Sequence, residues 1–167
     1  GATVTGAPTA IVSDVANAAP AGTTVNAFVA QNNEINQCGR AIEFNGGNSS
    51  VCNSVSITGN TIGTNAVLGA YPYTTPTTTV YTVGIWVAGA NAVSITGNTI
   101  NNVISYVGIL TSGISLFGNI GSGTISIADN IISGVANNGT SPLSITSGID
   151  ISSGGTYTIS GNDISTI

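Results

Sequence analysis

The sequence predicts an all-β chain whose strands stack in parallel as successive windings of one solenoid. Three observations lead to this prediction: an octapeptide that occurs twice, an alternation of apolar and small polar residues within it, and a spacing of about 30 residues between copies. The octapeptide VSITGNTI occupies 55–62 and 93–100, and looser copies follow as ISIADNII at 125–132 and YTISGNDI at 157–164. Repeats of this period are typical of solenoids, so each copy is interpreted as the same part of one winding.

One asparagine aligns all copies of the repeat, including a degenerate first one. It is followed two positions later by isoleucine in every copy and is preceded by apolar residues at three and five positions. In three copies a glycine stands directly before it, and glycine and asparagine both tolerate the dihedral angles of a tight corner. We therefore expect the asparagines to lie inside a bend and to bond the amides above and below as a structural ladder. They are Asn33, Asn60, Asn98, Asn130 and Asn162.

A second strand is predicted between successive asparagines, at 40–44, 84–87, 113–117 and 148–151. Period-2 alternation assigns its residues to two faces. The inward set is Ile42, Phe44, Ile85, Val87, Ile114, Leu116, Ile149 and Ile151, and the outward set is Glu43, Trp86, Ser115 and Asp150. Equivalent strands of neighbouring windings then pair in parallel, roughly 4.8 Å apart, and equivalent side chains stack on one another.

The two ends of the chain depart from the repeat. Residues 1–24 are predicted to be an N-terminal cap or linking segment, and 25–167 the solenoid. Within 7–24, prolines and a run of Ala and Val favour either a short capping helix or an irregular strand. The last repeat, GNDISTI, stops just after its core isoleucine. Because an open strand edge invites pairing, we expect the array to continue or to associate end to end with another chain.

The charge composition excludes several function classes. Only 4% of the residues are charged, with one Lys or Arg, no His and a net charge of −5. One cation cannot neutralise a row of phosphates, so nucleic acid and an anionic membrane surface are not expected partners. No apolar run reaches the roughly 20 residues that span a bilayer, so membrane insertion is not expected either. Without histidine, His-based acid–base and triad chemistry is excluded.

Cys38 and Cys52 are the two cysteines of the chain and bracket the second strand of the first complete winding. Their even number and the low-charge composition favour a disulfide, and two buried free thiols are the alternative. A disulfide would close a short loop near the N-terminal end.

The longest insertion, 63–82, is rich in tyrosine and threonine. Insertions in solenoids often gather on a binding face, so Tyr71, Tyr73 and Tyr81 could form an aromatic platform for a sugar ring together with Trp86. Packing of the loop over Trp86 is the favoured alternative, because buried aromatic residues usually serve packing.

The acidic residues offer no recognisable catalytic group. Asp129 and Asp163 flank ladder asparagines of successive windings, and a calcium site between them is a minor alternative to two ordinary corner residues. Glu43 and Asp150 share one outward column, but two windings separate them, which is too far for a glycosidase pair. We assign no catalytic residue, no metal site and no cofactor.

The I-x-x-N-x-I pattern over about 25–167 resembles the right-handed parallel β-helix repeat of pectate-lyase-like folds, and is closest to bacterial secreted and cell-surface adhesin-like repeat proteins. The resemblance implies about five windings of roughly 30 residues. This fold family includes lyases, hydrolases, adhesins and fibres, so fold does not determine function. The catalytic members use clustered carboxylates with calcium or a basic residue, and no matching cluster is visible here.

Together, these features lead us to expect a non-enzymatic extracellular or cell-surface segment with a structural or adhesive role, part of a filament or of a long surface protein. The alternative is a carbohydrate-binding or polysaccharide-cleaving module that uses the Tyr/Trp loop.

Overall fold

A computed structural model describes residues 9–14, 24–36, 38–47, 52–63, 81–106, 110–118, 123–139 and 144–167. In these ranges the regular secondary structure consists of β-strands, numbered here in chain order. They are β1 Thr9–Asp14, β2 Val25–Gln31, β3 Glu34–Ile35, β4 Arg40–Asn45, β5 Cys52–Thr58, β6 Thr61–Ile62, β7 Tyr81–Ala88, β8 Ala92–Thr96, β9 Thr99–Asn101, β10 Ile104–Ser105, β11 Leu110–Phe117, β12 Ile125–Ala128, β13 Ile131–Ser133, β14 Ala136–Asn137, β15 Ile145–Ile151, β16 Tyr157–Ser160 and β17 Asp163–Ser165.

The strands form three five-stranded parallel sheets and one small two-stranded sheet. Sheet A has the order β1-β4-β7-β11-β15, sheet B β2-β5-β8-β12-β16, and sheet C β3-β6-β9-β13-β17, while β10 pairs with β14. Each strand of a five-stranded sheet therefore pairs with the equivalent strand of the next repeat. The architecture is all-β, parallel and consistent with a parallel β-solenoid.

The register stacks identical side chains, as the repeat predicts. In sheet B, Ile57 pairs with Ile95, Ile95 with Ile127, and Ile127 with Ile159. Sheet C stacks its isoleucines in the same way, from Ile35 through Ile62, Ile100 and Ile132 to Ile164. The two copies of the octapeptide lie side by side in one register. The same side-chain packing therefore recurs in each winding.

The core lies between the three sheets and consists mainly of isoleucine and valine. The predicted inward residues of sheet A are confirmed in the middle strands, where Ile42, Phe44, Ile85, Val87, Ile114 and Leu116 are fully buried. Ile149 and Ile151 of β15 are only partly buried, although they pack against the same core. The difference arises because β15 is an edge strand with a neighbour on one side.

The asparagine ladder is present along the bend between sheets B and C. Asn98 is fully buried, and its Oδ1 accepts hydrogen bonds from the backbone N–H and the Nδ2 of Asn60, both at 2.9 Å. Its own Nδ2 donates to Asn130 Oδ1 at 2.9 Å and to the Ile57 carbonyl at 3.0 Å. The same pattern links Asn33 to Asn60 and Asn130 to Asn162. The ladder thus satisfies backbone groups that the corner buries.

The residue before each ladder asparagine adopts a left-handed backbone conformation. The φ angles are 66°, 64° and 64° at Gly59, Gly97 and Gly161, and 55° at both Asn32 and Asp129. Left-handed dihedrals are cheapest for glycine and next for Asn and Asp, because their short side chains hydrogen-bond locally. The corner therefore accounts for which residue types occupy this position.

The N-terminal segment begins with a strand. The helix alternative for 7–24 is wrong over Thr9–Asp14, because these residues form β1 and pair in parallel with β4. Backbone groups at the edge of β4 are satisfied by this pairing, which a helix could not provide. Sheet A thus includes residues that lie before 25, inside the segment predicted as a cap.

The predicted disulfide is absent, because Cys38 and Cys52 are both buried free thiols. Cys38 lies just before β4 of sheet A, whereas Cys52 begins β5 of sheet B. The Cys52 thiol donates to the Ser54 carbonyl at 3.2 Å, and the Cys38 thiol has a backbone hydrogen bond at Ala10. Burial raises the pKa of the Cys38 thiol to about 12 and also raises the pKa of the Cys52 thiol. The alternative of two buried thiols is the one that the structure contains.

A column of glycines in sheet A allows the sheets to pack closely. A Cβ on Gly113 would lie 2.5 Å from the Cγ2 of Ile132, and one on Gly84 would lie 2.8 Å from the Cγ2 of Ile100. The glycines therefore face the core, and the residue that follows Gly84, Ile85, is also fully buried. Two consecutive inward residues break the alternation at the glycine of β7, β11 and β15, and we call this break the bend of sheet A. β1 and β4 have alanine at the equivalent position.

Replacing Asn98 with leucine should lower the free energy of unfolding by about 3 kcal/mol or more, because the buried Asn60 N–H and Ile57 carbonyl lose their partner. Asn162→Leu is the matched control: it removes the equivalent partners of the Asn130 N–H and the Ile127 carbonyl, but at the end of the ladder, where water can replace them, so it should cost about 1 kcal/mol. Urea denaturation followed by circular dichroism measures both. Equal losses for the two variants would contradict a ladder that depends on burial.

Gly113→Ala should destabilise the protein by about 1–3 kcal/mol, because the added methyl group collides with Ile132 and with the carbonyl of Gly148. Gly154→Ala is the control, since a Cβ there meets no atom within 4 Å. Thermal unfolding compares the two. A stabilised Gly113→Ala variant would refute the close packing of sheets A and C.

The free energy of unfolding should fall as the pH rises above 9. The unfolded thiols ionise near 9.0, whereas the folded Cys38 thiol stays protonated up to about 12. Between these two pH values only the unfolded state releases the proton, so a rising pH lowers the free energy of unfolding. Cys38 alone contributes a slope of at most about 1.4 kcal/mol per pH unit. Cys38→Ala should give a shallower slope in denaturant titrations at pH 8–11.

The same thiols provide a direct count. A colorimetric thiol assay in denaturant should detect both cysteines without reductant, and the native protein should react far more slowly because both are buried. A denatured sample without reactive thiols would establish the disulfide instead.

Candidate functional site

The outer side of sheet A carries a cleft of about 250 Å³ at the bend of its strands. We call it the Trp86 cleft. Its walls come from β7, β11, β15 and the residue just after β15, and are mostly aromatic and aliphatic. The lining residues are Tyr81, Trp86, Leu110, Phe117, Ile145, Asp150 and Ser152.

The bend at the glycine column explains why these residues meet. Tyr81, Leu110 and Ile145 pair in register before the glycines, and Trp86 and Phe117 follow them. Because the bend reverses the alternation, residues from both arms of each strand line one cleft. The sequence contains a signal for the first arm that the asparagine alignment missed: YTVGI at 81–85, LTSGI at 110–114 and ITSGI at 145–149 share the pattern apolar-Thr-x-Gly-Ile. Three of the four predicted strands, 84–87, 113–117 and 148–151, began at the glycine and therefore missed the three residues before it, whereas 40–44 began where β4 begins.

The predicted outward column is in register across four strands. Glu43 pairs with Trp86, Trp86 with Ser115, and Ser115 with Asp150. However, Glu43 is only 8% exposed and Ser115 is fully buried. The outer side of sheet A is therefore more enclosed than a simple alternation of buried and solvated faces predicts.

Arg40 is the only Lys or Arg of the chain, and its charge is already engaged. One guanidinium nitrogen lies 2.9 Å from the Glu43 carboxylate, which also accepts a hydrogen bond from the Thr9 hydroxyl at 3.0 Å. The same guanidinium lies over the Trp86 ring, 4.8 Å from its centroid, and 5.8 Å from the centroid of Tyr81. This cluster holds Trp86 in place by an ion pair combined with cation–π contact.

The serine hydroxyls at the cleft donate to protein acceptors. Asp150 accepts a hydrogen bond from the Ser115 hydroxyl at 3.0 Å. The Ser152 hydroxyl donates to the Leu116 carbonyl at 3.3 Å, so its proton is also directed to a protein acceptor. Since Arg40 is paired with Glu43, no Lys or Arg side chain is left to neutralise Asp150.

The predicted aromatic group is partly assembled. Tyr81 and Trp86 line the same cleft, while Tyr71 and Tyr73 lie outside the described residues. Phe117, which the sequence analysis placed in a strand but not in a site, stands 6.3 Å from Trp86 between ring centroids, tilted by 31°. Trp86 thus has the guanidinium of Arg40 over its ring and Phe117 beside it, which leaves less of the ring free for stacking than an open platform would.

The acidic residues remain dispersed. Glu43 and Asp150 stand three strand positions apart in the register, roughly 14 Å at 4.8 Å per strand. Asp129 and Asp163 are both exposed corner residues. Among the residues that the structure describes, no three His, Cys, Asp or Glu side chains are grouped so that they could hold a metal ion. The described segments also include no helix long and apolar enough to cross a membrane.

Comparisons with protein-family models, with curated proteins and with solved structures find no match to this chain.

Proposed function

We propose that this chain is a non-enzymatic structural or adhesive segment of an extracellular or cell-surface protein, with the winding of a right-handed parallel β-helix. About five windings of roughly 30 residues follow from the repeat, and right-handed connections are the rule between parallel strands of one sheet. The observation that supports this role best is the uniform stack, in which equivalent strands of successive repeats pair in parallel and like side chains stack on like.

The last isoleucines of the stack are exposed. Ile127 and Ile132 are fully buried, but their stacking partners Ile159 and Ile164 are 50% and 43% exposed. A further winding in the same register would cover both, and burial of such side chains is favourable. We call this surface, formed by β15, β16 and β17, the C-terminal face.

The asparagine ladder also ends at this face. Asn98 Nδ2 donates to Asn130 Oδ1 as well as to two carbonyls. Among the described residues, Asn162 Nδ2 has the corresponding two carbonyls, of Ile127 and Ser160, but no following asparagine oxygen. The last ladder asparagine thus lacks the following amide oxygen that Asn98 and Asn130 have, and a winding that offers one at this position would continue the ladder.

This polarity favours a head-to-tail arrangement. Two C-terminal faces would meet donor to donor, whereas another winding of the Asn-x-Ile type would supply the acceptor. Head-to-tail contacts that do not close into a ring generate filaments, and the low charge of the chain offers little repulsion against them. The first winding is less open than the last, because Ala30 and Ile35 are only 4% and 6% exposed, so it offers less apolar surface to such a contact than the C-terminal face does.

The extracellular location is supported by composition alone, because the predicted disulfide is absent. The second candidate, a carbohydrate-binding or polysaccharide-cleaving module, is favoured by the position of Tyr81 and Trp86 in one cleft. The cleaving role has less support, since Glu43 and Asp150 lie far apart in the register.

If the C-terminal face binds a further winding, the purified chain should associate with increasing concentration, and Ile159→Lys should weaken this association by at least about tenfold. Burying an unpaired lysine in an apolar contact costs more than the 1.4 kcal/mol that a tenfold change represents. Sedimentation equilibrium measures the association constant. Ile131→Lys is the matched control, because Ile131 is equally exposed at 49% but lies on a middle winding. Equal effects of both variants would contradict the proposal.

An extended chain separates self-association from continuation of the array. Appending a second copy of residues 133–164 in phase should raise the thermal unfolding midpoint if the last winding accepts a successor, because solenoid stability grows with each interface. A lowered midpoint together with a monomeric parent chain would refute the structural role.

A further inference from the structure

We propose that the Trp86 cleft binds a small organic cation, in which a primary ammonium group is attached to a flat, apolar body. The ammonium would lie against Asp150 and the body between the aromatic and aliphatic walls. This site opens on the outer side of sheet A and shares β15 with the C-terminal face, so the test below has to separate ligand binding from association at that face.

The charged residues of the chain indicate that the ligand is positively charged. The chain has a net charge of −5 and one Lys or Arg, and that residue, Arg40, is held by Glu43 at 2.9 Å. The Asp150 carboxylate borders the cleft with only a neutral hydroxyl, from Ser115, as its described partner. A carboxylate beside a low-polarity cleft attracts a cation more strongly than one in open water. An anionic ligand would meet Asp150 without a compensating charge.

The hydrogen-bonding groups require a ligand that donates. The hydroxyl protons of Ser115 and Ser152 are directed to Asp150 and to the Leu116 carbonyl. Asp150 is therefore the charged acceptor of the cleft, beside the Tyr81 phenol and the Trp86 N–H, and a primary ammonium group supplies up to three donors to it. Hydrogen bonds between such a group and a carboxylate are charge-assisted and about twice as strong as neutral ones.

The walls explain why the body should be apolar and flat. Phe117 offers an aromatic surface that attracts a cation through its quadrupole. Trp86 and Tyr81 already contact the Arg40 guanidinium, so they serve as flat apolar walls, and Leu110 and Ile145 contribute aliphatic surface. Ile145 is 54% exposed and Phe117 49% exposed, so a ligand would remove apolar area from water. The volume of about 250 Å³ limits the ligand to a small molecule.

A neutral sugar fits these groups less well. A hexose carries several hydroxyl groups, each of which needs a partner when it is removed from water. The described lining offers few polar side chains, Asp150 and Ser152 beside the phenol of Tyr81, against aromatic and aliphatic walls. The Trp86 ring is also partly occupied by Arg40 and Phe117. The lining therefore favours an ammonium ligand over the sugar that the tyrosine-rich loop first indicated.

The experiment uses the single tryptophan of the chain as its reporter, because any fluorescence change on titration reports on Trp86. The probes are phenethylamine as the cation, 2-phenylethanol as its neutral counterpart, phenylacetate as its anionic counterpart, and maltohexaose as a neutral sugar. We expect saturable binding of phenethylamine, at least about tenfold tighter than 2-phenylethanol, and no binding of phenylacetate.

Asp150→Asn should abolish the preference for phenethylamine over 2-phenylethanol while leaving the fold intact. Asp163→Asn is the control, since it removes the same charge from an exposed position of sheet C and should leave the preference unchanged. Repeating both titrations in the Ile159→Lys background keeps association at the C-terminal face out of the measurement. Equal affinities for the cation and its neutral counterpart, tighter binding of maltohexaose, absence of binding by all probes, or an unaffected Asp150→Asn variant would each overturn the proposal.

Discussion

The structure depends on one constraint: each winding must lie on its neighbour in a register that stacks like on like. Parallel pairing satisfies the backbone of the strands, but the corner between sheets B and C buries amides that no strand can reach. The ladder of Asn60, Asn98 and Asn130 satisfies them, with the oxygen of each asparagine accepting from the backbone and side chain of the one before. A slip of one residue would place these amides against aliphatic side chains and turn the isoleucines outward. The repeat of the octapeptide follows from this constraint.

The same constraint gives the two ends of the solenoid their character. Inside the stack, every isoleucine column and the asparagine column have neighbours on both sides. At the C-terminal face both kinds of column stop together, with Ile159 and Ile164 exposed and Asn162 without a following amide oxygen in the described chain. The exposed isoleucines and the last ladder asparagine are the groups that one further winding in the same register would contact.

The outer side of sheet A follows from a different element, the glycine column. Gly84 and Gly113 let the isoleucines of sheet C pack closely against sheet A, and the resulting bend turns residues from both arms of each strand towards one cleft. Packing in the interior thereby creates a concave surface outside. The pairing of the single arginine with Glu43 then leaves Asp150 as the charged residue of that cleft, a consequence of having one cation in the whole chain.

The sequence by itself determined the parts of the structure that repeat. Because the same local pattern recurs in each repeat, we could identify the asparagine column, the flanking isoleucines and the inward residues Ile85 and Ile114. What occurs once, or depends on distant residues, could not be identified in this way. The bend at Gly84, the pairing of β1 with β4, the separate burial of Cys38 and Cys52, and the contact of Arg40 with Trp86 are all decided by which surfaces meet across the core or along a sheet. The local alternation of apolar and polar residues does not encode contacts between distant residues, so only the tertiary structure determines them.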